Sequence, residues 1–194
     1  ILTRSLIIFG QGAIRCHPYV LKEMAAAKNP DAKQGLRDFD AALAAHLWFI
    51  WTRGFLSWSM GLTGSNFVSV PAHVAPETRR YYQQLSRFAA AFAFLADVSM
   101  FVMGGDLKRK EKLSARLGDI LSLLYLASAT LKRYEAEGRR AADAPLLHWA
   151  IWDAMFAMQN AFERVISNYP NRVIAALLHW YIFPLGRPYE VPSD

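Results

Sequence analysis

The chain has 194 residues, of which 54% are apolar and 20% charged. That apolar share lies above the ~45–50% of average domains, which excludes a disordered chain, and a chain this long buries roughly 70% of its unfolded surface without a disulfide or metal staple. Lys and Arg number 22 against 16 Asp and Glu, a formal charge of +6, which suits an anionic partner and is equally ordinary for a domain surface; with basic residues scattered and no accompanying motif, nucleic acid is not an expected partner.

Leu2, Leu6, Phe9, Ala13, Val20 and Met24 recur at helical spacing, so residues 2–27 read as a helix, kinked or broken at Pro18 and ended by Asn29-Pro30. Residues 38–58 form a second helix, and residues 61–75, with Gly61, Gly64, Ser65, Asn66 and Pro71, form a loop. Pro76 opens a third helix that runs to about Met103 and is stopped by Gly104-Gly105. A fourth covers residues 108–137 and ends at Gly138. Asp143 is placed to cap a fifth, with Pro145 in its first turn, reaching about Asn168. Tyr169-Pro170-Asn171 breaks the chain before a short sixth helix over residues 172–183, closed by Pro184-Leu185-Gly186, and residues 187–194 are expected to be extended. No strand pattern or fixed-period repeat accompanies these, so the fold class is all-α, a multi-helix antiparallel bundle with short connections.

No segment reads as a membrane span: residues 54–76 are rich in Gly, Ser, Thr and Pro, and Asp97 breaks the apolar stretch over residues 88–102. Ile1 is not a start residue and Arg4 interrupts the first apolar run, so no signal peptide is read and the chain is expected to begin inside a longer polypeptide. The single cysteine, Cys16, cannot form an internal disulfide and is compatible with a reducing cytosol.

Glu-x-x-His pairs, His-Glu-x-x-His, Cys-x-x-Cys and a phosphate-binding P-loop are all missing, and no metal site is expected. Gly10-Gln11-Gly12 fails as a dinucleotide fingerprint, because Arg15 stands where the third glycine belongs and no strand precedes it. Of His17, His46, His73, His148 and His179, none pairs with another at helical metal spacing. His46, His148 and His179 read as hydrogen-bonded core or boundary residues.

Asp97, Asp119 and Asp153 each fall inside an apolar helix, where an unpaired carboxylate is costly; an interhelix ion pair with Arg87, Arg116 or Arg164 is preferred over acid–base work. Gly104-Gly105 followed by Lys108, Arg109, Lys110 and Lys112 is a candidate site for the phosphate of CoA, flavin or a lipid head group, against the simpler reading of a solvated basic turn. Trp48, Trp51, Phe55 and Trp58 share one helical face. Such a stripe reads first as core packing, the alternative being an interface with another domain, a second subunit or a bilayer surface.

Three blocks carry a family resemblance. The first runs from Leu2-Thr3-Arg4-Ser5 through Phe9-Gly10-Gln11-Gly12-Ala13-Ile14-Arg15-Cys16-His17-Pro18-Tyr19. The second joins Lys108-Arg109, Ser114-Ala115-Arg116-Leu117-Gly118-Asp119-Ile120-Leu121-Ser122, Leu124-Tyr125-Leu126-Ala127-Ser128-Ala129 and Lys132-Arg133-Tyr134. The third joins Tyr169-Pro170-Asn171-Arg172, Ile182-Phe183-Pro184, Gly186-Arg187 and Pro192-Ser193-Asp194. Together they resemble the C-terminal segment of the large bacterial fatty-acyl-CoA dehydrogenases of β-oxidation, with residues 28–74 the weakest part.

The resemblance implies residues 1–28 as the last helix of a dehydrogenase core and residues 29–194 as a C-terminal helical extension. It implies an FAD-dependent oxidation of fatty acyl-CoA to trans-2-enoyl-CoA, in which a glutamate takes the α-proton and the flavin takes the β-hydride. That glutamate is expected upstream of Ile1, so no residue of this chain is assigned as catalytic and the segment alone is expected to be inactive. FAD is expected to be held mainly by upstream domains, with Arg4 as a cofactor-proximal candidate. The implied partners are fatty acyl-CoA, the upstream dehydrogenase domains, further copies in a homo-oligomer and a membrane surface, in a bacterial cytoplasm or peripherally at its inner membrane. A membrane-docking or protein-interaction module remains the alternative.

Overall fold

The computed structural model describes residues 17–192. Six α-helices follow in order: α1 (Val20–Ala27), α2 (Ala32–Leu62), α3 (Pro76–Met103), α4 (Glu111–Ala136), α5 (Ala144–Ser167) and α6 (Arg172–Ile182). Two 3-10 segments, Gly104–Lys108 and Ala141–Asp143, lie between α3 and α4 and before α5. The fold is all-α.

Local chemistry sets the helix ends. Asp31 Oδ1 accepts from the backbone N–H of Lys33 at 3.0 Å and of Gln34 at 3.2 Å, so α2 begins at Ala32, six residues before the expected start. Asn171 caps α6 in the same way through Val173 N–H and Ile174 N–H. Pro76 takes the first position of α3, where a missing N–H costs nothing. Gly104, at φ 50°, stops that helix as expected, but the chain then winds into a 3-10 segment, which delays α4 to Glu111. Asp143 does not cap α5: its carboxylate accepts from Arg140 Nε at 2.7 Å and makes no side-chain cap.

Residue pairings fix the direction of packing. Going up α2, His46 faces Asp97, Gly54 meets Phe94 and Gly61 lies near Arg87, so α2 and α3 run antiparallel. Thr78, at the start of α3, bonds Glu135 at the end of α4, so that pair is antiparallel too. The core lies where α3, α4, α5 and α6 converge, around Phe88, Leu95, Leu117, Ile120, Leu131, Ile151, Met158, Phe162, Leu178 and Ile182, each 1% exposed or less. Burial of such side chains stabilises by about 1.5–3 kcal/mol each. Pro76–Leu107 is long and apolar enough, by length and composition, to cross a membrane, contrary to the sequence expectation that no segment would be. Half of that window is buried inside the bundle, which is the behaviour of a core helix.

Candidate functional sites: an aromatic ladder and a buried histidine–carboxylate cluster

The face carrying Trp48, Trp51, Phe55 and Trp58 does not pack into the core. Trp48 is 67% exposed, Trp51 57% and Phe55 46%. The rings instead stack along α2, with centroids 5.8 Å apart for Trp48–Trp51 and 5.6 Å for Trp51–Phe55, nearly parallel in both cases. Phe55 continues to Trp58 at 6.1 Å, and Trp58 meets Trp180 of α6 at 5.4 Å. The core reading of this stripe is therefore corrected. Each inner ring has an aromatic neighbour on two sides, yet Trp48, Trp51 and Phe55 remain exposed, and large apolar rings left so are a usual mark of a surface awaiting contact.

Two glycines on α2 allow close approach, Gly54 to α3 and Gly61 to the turn after α6. A Cβ on Gly54 would lie 2.8 Å from Phe94 Cε2, and one on Gly61 2.6 Å from Pro184 Cγ.

The second constellation joins the segment before α1 to α2 and α3. Asp97 is 2% exposed. His17 Nε2 lies 2.9 Å from Asp97 Oδ1, and His46 Nε2 lies 3.9 Å from the same oxygen. His46 Nδ1 contacts Glu23 Oε1 at 2.8 Å. The two imidazole rings are 4.7 Å apart, Tyr19 stacks on His46 at 5.4 Å, and Phe49 presents an edge contact to His17 at 6.1 Å. Burial pushes the Asp97 carboxyl above the usual carboxylate range, with His17 and His46 pulling it back and Glu23 adding to the rise. The expected partner of Asp97 was an arginine; the partners are histidines. Arg87 instead donates Nη2 to Ile182 O at 2.8 Å, and burial lowers its pKa.

Asp119 pairs with Arg116 at 2.9 Å, within α4 rather than between helices. Asp153 lines the same α4–α5 cleft as Arg116, Asp119 and Arg164 and makes no ion pair among the described residues. His148 Nδ1 bonds the Tyr81 hydroxyl at 2.6 Å, and His179 lies 3.8 Å from Glu163 at the bundle edge, as boundary histidines do.

At the basic turn, Arg109 faces Asp106 at 3.5 Å with both side chains largely in water. Lys110 precedes α4 and its carbonyl accepts from Leu113 N–H and Ser114 N–H. The side chain of Lys108 lies outside the described residues, as do all of Arg4 and the Gly10–Gly12 stretch. A Cβ on Gly104 or Gly105 would meet nothing within 4 Å, so no protein atom packs against either glycine.

Sequence reasoning missed the His17–His46 pair because the two residues lie on different elements, where no fixed spacing reveals them. The available signal was Asp97, a carboxylate in mid-helix among apolar residues, which demanded a partner.

The family model described as "Acyl-CoA dehydrogenase, C-terminal, bacterial type" matches residues 14–194. No solved structure matches the chain.

Proposed function

The chain belongs to the bacterial-type acyl-CoA dehydrogenase C-terminal family, and from that premise we propose that it is the helical C-terminal part of an FAD-dependent enzyme that oxidises fatty acyl-CoA to trans-2-enoyl-CoA. Proton abstraction and hydride acceptance are assigned to residues and a flavin outside this sequence. The basic turn at Gly104-Gly105 is open and Arg109 there pairs with Asp106 in water, and no step of the oxidation is routed through the described residues.

The role of this segment is to present a packing surface to the rest of the polypeptide. One observation carries that reading: the stacked, exposed ladder Trp48–Trp51–Phe55–Trp58, continued by Trp180. Aromatic side chains bury large areas at little entropic cost and are enriched at interfaces. The occupant favoured here is the dehydrogenase core on the same polypeptide. A bilayer surface, with Arg109 and Lys110 contributing charge, is the alternative, and radical footprinting of the ladder with and without anionic vesicles separates the two.

The enzymatic half of the proposal is tested by anaerobic addition of long-chain fatty acyl-CoA to the purified full-length protein. Bleaching of the flavin absorbance with formation of enoyl-CoA is expected. A full-length protein that carries no flavin, or whose flavin is not bleached by any acyl-CoA, contradicts it.

A further inference from the structure

The buried cluster of His17, His46 and Asp97 has the composition and spacing of a metal-ligand set. Each residue offers one ligand atom, and these atoms all lie within 4.8 Å of one another. Ligands on a tetrahedral zinc at ~2.0–2.1 Å are separated by roughly 3.3 Å. The two histidine–carboxylate separations, 2.9 and 3.9 Å, bracket that value, and with all three ligand atoms within 4.8 Å of one another the set closes on an ion by side-chain shifts of up to roughly an ångström.

A second observation points the same way. Asp97 Oδ2 and His46 Nε2 are buried and lack a hydrogen-bond partner among the described residues, although Asp97 is 98% buried by its 2% exposure. Unpartnered buried polar atoms are costly, and these two, on residues that already face each other across Asp97 Oδ1, would be satisfied by a cation held between them. The environment of His46 is that of a metal ligand held by an outer carboxylate: with Nδ1–H donating to Glu23 Oε1, the Nε2 lone pair is turned toward Asp97. His17 is the weaker imidazole. Its Nδ1 stands 3.3 Å from the N–H groups of both Tyr19 and Val20, which favours the proton on Nε2; ligation through Nε2 requires the other tautomer, with the proton moved to Nδ1 and those two long contacts given up.

We propose that His17, His46 and Asp97 form a binding site for a divalent transition cation of the zinc class, with Glu23 orienting His46. Two imidazoles and one carboxylate suit zinc, cobalt or nickel over magnesium or calcium. The bound ion ties the segment before α1 to α2 and α3, so its effect is to fix the N-terminal entry to the bundle.

The test is a titration of the chelator-stripped full-length protein with Co2+ alone, read by its visible d–d absorption, followed by displacement with Zn2+ alone. Saturation at about one equivalent per chain with the intense bands of a low-symmetry N/O site is expected. Zinc should displace cobalt and raise the unfolding temperature in a concentration-dependent way. Glu23→Gln, which keeps all three ligands, should weaken binding by roughly 10–100-fold. His46→Gln should abolish the bands, and His148→Gln, at a histidine bonded to Tyr81 elsewhere, should leave them unchanged. Wild-type protein that shows no saturable bands overturns the proposal with no variant needed. Bands that survive His46→Gln overturn it equally.

Discussion

Gln159 holds Tyr189 by both ends of its amide: Nε2 donates to Tyr189 O at 2.7 Å, and Tyr189 N–H donates to Oε1 at 3.0 Å. A side chain thus mimics a strand partner and pins the C-terminal tail along α5, aided by Trp152 Nε1 donating to Glu190 O at 3.1 Å. Gln159→Leu should cost about 2–3 kcal/mol, because it leaves a buried N–H and a buried carbonyl without partners. Urea unfolding measures the loss, and limited proteolysis should show the tail released first. An unchanged midpoint together with a protected tail would contradict the role given to this amide.

Phe162 is fully buried, 5.8 Å from Phe88 and 6.3 Å from Phe183 in ring centroids. It therefore joins α3, α5 and the end of α6. Phe162→Ala should cost about 3–5 kcal/mol by cavity formation, read as a fall in thermal midpoint. A loss below about 1 kcal/mol would mean that the core here collapses around the gap or is not packed as described.

Gly54→Ala separates packing from propensity. Alanine is favoured over glycine in a helix by about 1 kcal/mol, yet its Cβ would stand 2.8 Å from Phe94 Cε2. Phe94 also packs against Tyr181 at 5.2 Å, so the ring is not free to retreat. Net destabilisation of about 1–3 kcal/mol is expected. A stabilised variant would show that α2 and α3 lie further apart.

Glu135 receives hydrogen bonds from Thr78 Oγ1 at 2.7 Å and from Ala75 N–H at 3.3 Å, and pairs with Arg139. Burial would raise its pKa, but the bonds from Thr78, Arg139 and Ala75 together hold it below the usual carboxylate range. A depressed folded pKa contributes stability above the unfolded value, and that contribution is lost as pH falls through the folded value. Glu135→Gln should therefore be less stable than the parent at neutral pH, with the gap closing under acid. A gap that is constant across that range would show the carboxylate charge to be irrelevant.

Much of this fold is legible in the sequence. The start of α3 follows from Pro76 and its stop from Gly104, since proline and glycine act through their own backbone chemistry; the start of α6 follows from the Tyr169-Pro170-Asn171 break, though the cap made by the Asn171 side chain was not read. The early start of α2 was missed although Asp31 stood in view, because the apolar pattern over Ala32–Arg37 is weak. Asp143 misled for the opposite reason: a residue suited to capping was claimed by Arg140. The ladder was legible as a stripe but not as exposed, because periodicity shows that residues share a face and not which face the core takes. Trp180, from α6, could not be joined to it by spacing at all. The His17–His46–Asp97 cluster is a property of three elements meeting, and only its buried carboxylate left a trace in the sequence.

The central claim is that the rings of α2 are covered in the working protein. Hydroxyl-radical footprinting of the full-length protein, without lipid, reads this directly, with Trp149 as an internal reference at 50% exposure in the bundle alone. Trp48 and Trp51 should react several-fold more slowly than Trp149, although they are the more exposed pair here. Reaction as fast as Trp149 would contradict docking of the ladder against the rest of the polypeptide, and protection appearing only on addition of anionic vesicles would assign the surface to a membrane instead.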